Sequence, residues 1–356
     1  MATVFDLKCM RLALDLAERE KGFVAPNPVV GCVITKNGKI ISTGSHKNFG
    51  GNHAEVNALL KAGKKAKGAV LYSTLEPCDH WGKTPPCAKA IISAGIVKVF
   101  AAMKDPNPLV SGRGIVELKK ANVKIELGLL EKEAKKLNED YSYYIQKKLP
   151  YVILKIAVTS NGMISWGNGK RKQISSNVSQ KMAYELRGKY CAVLVGIGTV
   201  LKDNPSLTSH SAKLSNPFRI VVDSKLKIPL NSKVFGKDGK LILACTKKAS
   251  KKKMQSAIEK GAIVLVLNEK DGEVDLKELL KFLGKMQFSS ILVEGGMKIL
   301  TTLLSEKLVN KMLLFVSPKI VENGKLFVDE KIVKEISLKN CSVKKIGIDT
   351  LIEGYF

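Results

Sequence analysis

Short apolar, β-rich runs alternate with helix-spaced apolar residues along most of this chain, and that alternation restricts it to α/β architectures. Leu7, Met10, Leu14 and Ala17 mark one face of a first helix beginning near Asp6. Residues 29–35 and 39–43 read as strands joined by Asn37-Gly38, the strongest two-residue hairpin signal. A helix over 53–62 stopped by Gly63, a strand over 69–74, a helix over 86–94 stopped by Gly95 and a strand over 96–102 follow. A helix over 114–121, a strand over 123–126 and one long helix over 130–147 complete the first series, which ends at Leu149-Pro150.

A second series places strands near 152–158, 192–195, 219–222, 241–244, 263–267 and 290–293, with helical patterns between several of them. Such alternation predicts a largely parallel sheet flanked by helices. With 356 residues the chain exceeds one compact core, so two domains are expected, 1–148 and 149–356.

The chain is 45% hydrophobic and 26% charged, as in folded protein rather than a disordered or fibrous chain. No apolar run approaches the roughly 20 residues of a membrane helix, and residues 1–6 have no signal-peptide pattern, so a cytoplasmic location and no membrane partner are expected. Seven scattered cysteines argue against a disulfide framework and for reduced thiols. The net charge of +27 raises the question of nucleic acid. The lysines are dispersed, however, and the arginines that grip phosphate bidentately are confined to positions 11, 19, 113, 171, 187 and 219. A solvated lysine surface around a small phosphorylated substrate is the expectation, with no nucleic-acid partner.

Chemistry concentrates in the first half. His53-Ala54-Glu55 opens a helix, and Pro77-Cys78 and Cys87 lie between the next strand and helix. One imidazole and two thiolates make three protein ligands, which is the arrangement of a catalytic zinc site with one position left for water, since structural sites usually close with four. Zinc lowers the pKa of bound water to about 7. Hydrolysis of an exocyclic amine also needs a carboxylate that moves a proton from water to the departing amine, and Glu55 stands two residues beyond His53 for that task. His-X-Glu followed by Pro-Cys-X-X-Cys is the known signature of zinc deaminases, and this chain carries its His-X-Glu and Pro-Cys parts. A helix N-terminus at Cys87 favours its thiolate.

Eight residues separate Cys78 from Cys87, where nucleoside and RNA-editing deaminases have two. The stretch Thr74-Leu-Glu-Pro-Cys-Asp-His-Trp-Gly-Lys-Thr-Pro-Pro-Cys87, with Pro26-Asn-Pro-Val-Val-Gly31 and Asp105-Pro-Asn-Pro108, resembles the riboflavin-biosynthesis deaminases. The resemblance implies a cytidine-deaminase-like three-layer αβα domain with one zinc ion on His53, Cys78 and Cys87 and proton transfer by Glu55. It also implies contacts from Asn27, His46, Lys83, Thr84, Asp105 and Asn107 to 2,5-diamino-6-ribosylamino-4(3H)-pyrimidinone 5′-phosphate.

Bacterial members of that family carry a reductase of dihydrofolate-reductase-like α/β fold, and the second half resembles it. Lys155-Ile-Ala-Val-Thr-Ser-Asn-Gly162, Gly196-Ile-Gly-Thr-Val-Leu-Lys-Asp-Asn-Pro205, Arg219-Ile-Val-Val-Asp-Ser224 and Val293-Glu-Gly-Gly296 occur in the family's order. Gly196-X-Gly198 is no Rossmann fingerprint, because Leu201 holds the third glycine position. The resemblance implies NADPH reduction of the ribosyl group of 5-amino-6-(5-phosphoribosylamino)uracil to ribityl. Val158, Gln173, Thr199, Asp203, Ser224, Gly296, Met297, Lys298 and Ile299 would contact the cofactor. Lys155, Arg187, Leu207 and Glu294 would contact the substrate, Arg187 at its phosphate.

The sequence departs from the family at Asn161 (usually Asp), Gln173 (Trp in some members) and His210 (Arg in some). A homo-oligomer formed through the reductase half is expected. Two alternatives stay open from sequence: a deaminase whose second half is only a scaffold, and an RNA-base deaminase, which the basic charge favours and the 6% aromatic content disfavours.

Overall fold

In the computed structural model, which describes residues 2–81, 85–108, 110–166 and 173–356, the chain divides into two compact units, Met1–Lys148 and Leu149–Phe356. The first contains α1 (Val4–Arg19), β1 (Gly31–Lys36), β2 (Lys39–Ser45), α2 (Ala54–Ala62), β3 (Val70–Ser73) and α3 (Cys87–Ser93). It continues with β4 (Lys98–Ala101), α4 (Arg113–Lys120), β5 (Lys124–Leu127), α5 (Glu131–Leu137) and α6 (Glu139–Lys147). The strands form one sheet in the order β2-β1-β3-β4-β5. β1 runs antiparallel to both neighbours, while β3, β4 and β5 are parallel. Asn37 and Gly38 at the β1–β2 turn both have positive φ, 52° and 70°, as a tight hairpin requires.

The layering is written in two glycines. Successive residues on a strand point to opposite faces and paired residues share one, so Gly31 and Gly44, the latter paired with Cys32, face opposite sides of the sheet. A Cβ at Gly31 would collide with the Ala13 carbonyl of α1, and one at Gly44 with the Ala54 carbonyl of α2. Helices therefore press on both faces, giving the three-layer αβα arrangement.

Two local expectations are corrected. Helix α1 starts at Val4 rather than near Asp6, because Thr3 and Asp6 form a reciprocal capping box that makes Asp6 the third helical residue. Leu7 is 39% exposed, and the buried face is carried by Cys9, Met10, Ala13, Leu14 and Ala17. The single helix expected over 130–147 is broken into α5 and α6 at Asn138. Its buried amide donates to the Val29 carbonyl at 3.0 Å and accepts from the Val29 N–H at 2.9 Å, bridging to the loop before β1. Asn138→Ala would leave both backbone groups unsatisfied, and chemical denaturation is expected to read a loss of about 1–3 kcal/mol.

The second unit contains β6 (Tyr151–Thr159), α7 (Asn177–Lys189), β7 (Ala192–Gly196), α8 (Ile197–Asp203), β8 (Phe218–Val222), β9 (Leu241–Thr246), α9 (Lys251–Glu259) and β10 (Ala262–Leu267). There follow β11 (Glu269–Lys270), β12 (Glu273–Val274), α10 (Leu276–Lys285), β13 (Ser290–Val293), α11 (Met297–Ser305), β14 (Lys311–Ser317), β15 (Lys339–Ile346) and β16 (Asp349–Tyr355). Nine strands form one sheet in the order β10-β9-β8-β7-β13-β6-β14-β16-β15. It is parallel from β10 to β14 and ends in the antiparallel β16 and β15. Its parallel strands are near-continuous Val, Ile and Leu runs because both faces are covered. Among the described residues no helix is long and apolar enough to cross a membrane.

Candidate active sites

In the first unit three chain segments converge. His53 is the residue just before α2, Cys78 follows the β3 turn, and Cys87 is the first residue of α3. Their ligand atoms all lie within 4.8 Å of one another. His53 Nδ1 is 3.2 Å from Cys87 Sγ and 3.5 Å from Cys78 Sγ, and the Cys87 N–H donates to Cys78 Sγ at 3.4 Å. A histidine nitrogen and two sulfurs are a donor set that suits zinc with one coordination position free.

Glu55 is 3% exposed on the first turn of α2. One carboxylate oxygen accepts from the Ser73 hydroxyl at 3.2 Å, and the other faces Cys87 Sγ at 3.5 Å. Burial raises the Glu55 carboxyl above the usual carboxylate range, with His53 opposing. The Cys78 thiol is pulled down to about 4, first by the hydrogen bond from Cys87 and then by His53, against burial. Cys87 is pushed up, foremost by the same hydrogen bond to Cys78 and then by burial and Glu55. A buried carboxyl with a raised affinity for protons, fixed beside a donor triad, is equipped to carry a proton.

Asn27 and His46 stand beside this cluster. The His46 ring meets the His53 ring edge-on at 5.4 Å between centroids. His46 Nδ1 lies 3.0 Å from the Asn52 carbonyl, which can only accept, so Nδ1 carries the proton and Nε2 accepts from the Asn27 amide at 3.1 Å. That arrangement leaves the Asn27 oxygen as an acceptor. Asp105 is buried, and its Oδ1 already accepts from the Asn107 N–H at 2.9 Å and the Tyr141 hydroxyl at 3.0 Å, so it organises its own loop. Lys83 and Thr84 lie outside the described residues.

Sequence reasoning missed Ser73, which orients Glu55. It also missed Asn57, whose amide donates to the Asn52 and Ser45 carbonyls and so steadies the partner of His46. Ser73 left a trace, as the strand residue immediately before the Thr74-to-Cys78 motif.

In the second unit Lys155 on β6, Glu294 at the end of the adjacent β13, and Arg187 on α7 form a largely buried charged cluster. Arg187 donates bidentately to Glu294 at 2.7 and 2.9 Å and to the Thr208 carbonyl at 3.3 Å, beside the buried Leu207. The guanidinium expected to meet a substrate phosphate is thus already paired with a carboxylate. Burial would raise the Glu294 carboxyl, but Arg187 and Lys155 outweigh it and hold it low. Burial lowers Lys155, with Glu294 opposing.

Arg187→Met would remove the two charge-assisted hydrogen bonds of Glu294 and leave Lys155 as its cationic neighbour, an expected loss of about 1.5–3 kcal/mol at neutral pH. A depressed carboxyl contributes stability that is complete above its ordinary pKa of 4.5 and is lost as pH falls through the lower folded value. Denaturant unfolding should therefore show a gap between wild type and Arg187→Met that is full at neutral pH and shrinks in acid.

Of the expected cofactor residues, Thr199 on α8 and the start of α11 come together. A Cβ on Gly296 would lie 4.0 Å from Thr199 Oγ1, and Cβ atoms on Gly196 and Gly295 would press on Ile299 at 3.2 and 3.0 Å. These glycines allow the strand ends to approach α11, whose uncapped N-terminus carries Met297 and Lys298 exposed and suits an anionic phosphate. Val158 is buried at the end of β6, and Asp203 is exposed at the end of α8. Gln173 is exposed, with its amide 3.4 Å from Asn177. The Ser224 hydroxyl donates to Glu273 at 2.6 Å and accepts from the Val274 N–H at 3.1 Å, so both its roles are engaged within the protein.

The departures from family pattern have local partners as well. The Asn161 amide donates to the Val321 carbonyl at 2.9 Å and its oxygen accepts from the Val321 N–H at 3.2 Å, a reciprocal pair that an ionised Asp could not complete. His210 packs on Tyr184 with 4.4 Å between ring centroids.

Fold and site together define a zinc-type pyrimidine deaminase unit followed by a second α/β enzyme unit. The family model of the cytidine and deoxycytidylate deaminase zinc-binding region matches residues 4–103, and that of the RibD C-terminal domain matches residues 150–352. The chain belongs to the RibD family of bifunctional riboflavin-biosynthesis enzymes. It is 43% identical to the riboflavin biosynthesis protein RibD of Aquifex aeolicus over 88% of this chain and 87% of that one. The RibD of Escherichia coli strain K12 is 37% identical over 86% of each chain. Among solved structures, a diaminohydroxyphosphoribosylaminopyrimidine deaminase/5-amino-6-(5-phosphoribosylamino)uracil reductase of Thermotoga maritima matches with TM-score 0.88 and 36% identity, covering 99% of this chain and 98% of that one.

Proposed function

We propose that the 1–148 unit hydrolyses the ring amine of 2,5-diamino-6-ribosylamino-4(3H)-pyrimidinone 5′-phosphate, and that the 149–356 unit uses NADPH to reduce the ribosyl group of the product to ribityl. The convergence of His53, Cys78 and Cys87 within 4.8 Å, with Glu55 beside Cys87, carries the deaminase reading. In that reading the three residues hold zinc, which when bound makes hydroxide available near neutral pH for attack on the ring carbon.

Glu55 takes the proton released by water and passes it to the departing amine, its Oε1 held by Ser73 throughout. Asn27, fixed by His46, offers its oxygen to a ring N–H. Asp105 accepts from the Asn107 N–H, and both are retained as substrate contacts by family resemblance. Lys83 and Thr84 are retained as substrate contacts by family resemblance.

In the second unit the α11 N-terminus with Thr199 and Lys298 would hold a cofactor phosphate, and NADPH held there would supply hydride chemistry at the ribosyl carbon. Lys155, held against Glu294 and Arg187, orients the substrate there. We further propose a cytoplasmic homo-oligomer formed through this unit. The exposed edge strand β15 supports that reading, since it offers free backbone groups to a neighbour. Sedimentation of a monomer across concentrations would refute the oligomer.

Incubation with the diaminopyrimidine phosphate, following ammonia and NADPH together, tests the whole assignment. Ammonia release followed by NADPH consumption is expected. Ammonia without NADPH consumption would leave the second unit as a scaffold, and neither signal would overturn the proposal.

A further inference from the structure

The turn that carries Cys78 is held by a helix outside the ligand set. Glu76, two residues before Cys78, is 2% exposed and is not one of the three clustered ligand residues. Its own N–H donates to the Met103 carbonyl at 2.9 Å. Its carboxylate accepts from three backbone N–H groups: Asp105 at 3.2 Å, Gly112 at 3.0 Å and Ile115 at 3.4 Å. Gly112 and Ile115 are the N-cap and third residue of α4. Helix starts leave these donors without partners. Here the N-cap is a glycine in the left-handed region, φ 84°, with no side chain to satisfy them. Glu76 thus caps α4 from another part of the chain, with the charge the helix start favours.

The next two residues of the turn are fixed from both sides. A Cβ on Gly114 would lie 1.8 Å from the Pro77 carbonyl oxygen and 3.0 Å from its carbon, so only glycine allows α4 to seat against Pro77. On the other side the Ala88 N–H of α3 donates to the Cys78 carbonyl at 3.0 Å. Pro77 and Cys78 are therefore clamped between the starts of two helices, and the same carboxylate ties down Asp105.

Resting on the assignment of Cys78 as a zinc ligand, we propose that Glu76 and Gly114 are positioning residues that use the start of α4 to set the Cys78 sulfur for zinc. Neither is a catalytic residue. Groups that orient a ligand typically change metal affinity about 10- to 100-fold when altered. Gln in place of Glu76 keeps the shape but turns an amide N–H₂ toward backbone donors. Ala in place of Gly114 leaves the carboxylate intact and displaces Pro77.

Competition with a chromogenic chelator, on the intact protein, measures zinc affinity for wild type, Glu76→Gln, Gly114→Ala and Val99→Ala. Val99 is a fully buried residue of β4, so its variant reports loss of stability without a change at the turn. The expected result is zinc binding about 10- to 100-fold weaker in both Glu76→Gln and Gly114→Ala, with Val99→Ala matching wild type in affinity while melting lower. Should either variant fail to fold, hydrogen exchange on wild type decides: zinc must slow exchange at the Gly112 and Ile115 amides, because coupling between sites is reciprocal. Wild-type affinity in both variants, or no change at those amides, would overturn the proposal. Zinc binding by wild type that ignores Cys78→Ser would instead overturn the ligand assignment beneath it.

Discussion

Glu55→Gln is expected to reduce ammonia release by about 100- to 10,000-fold, the range a positioned proton carrier contributes, while zinc content stays at the wild-type level. The glutamine is nearly isosteric, can still accept from Ser73, and removes only the ionisable group to which we assign the proton transfer. Metal retention separates this outcome from collapse of the site, because Glu55 lies beside the donor triad without belonging to it. Reduction of supplied deaminated substrate should continue at the wild-type rate, since the reductase unit has its own core of Val152, Leu154, Leu194, Ile220 and Ile291 among others. The paired readout is ammonia by a coupled assay and NADPH absorbance, with zinc by elemental analysis.

Removal of the metal should act on the same half of the molecule. Chelation, or Cys87→Ala, is expected to lower deamination by at least about 1,000-fold, because water without the ion has a pKa near 15.7 rather than about 7. Re-addition of zinc should restore the chelated wild type and not the variant. NADPH oxidation with preformed deaminated substrate should be insensitive to both treatments. Loss of reductase activity in step with zinc would mean that the units do not work independently.

The deaminase site was legible because its residue types are rare and spaced along the chain in a motif. A histidine and carboxylate at a helix start, then Pro77-Cys78 and Cys87, leave few structural alternatives. Strands such as β1, β6, β7, β9 and β13 were legible because two-sided burial makes them apolar runs ended by turn residues, whereas the more exposed β2 was marked by the Asn37-Gly38 hairpin signal. By contrast β15, with seven of its eight residues exposed, carries no apolar alternation, and the C-terminal strand pair was not anticipated.

Long-range polar contacts were equally silent in sequence. Asn138 looks like an ordinary helical residue until Val29, on a distant segment, takes up its amide. Ser73 and Glu76 reveal their roles only when Glu55 and α4 are brought to them by the fold. Leu7 shared the spacing of a buried face yet stayed at the surface, because helix periodicity fixes an angular face and not how far the neighbouring layer extends over it.

X-ray absorption at the zinc edge of the purified protein tests the metal assignment most directly. One zinc per chain is expected, with two sulfurs at about 2.3 Å and the remaining neighbours nitrogen or oxygen at about 2.0–2.1 Å, and one sulfur lost in Cys78→Ser or Cys87→Ser. A shell of four sulfurs, or a two-sulfur shell unchanged in both variants, would contradict a reactive centre built from His53, Cys78 and Cys87.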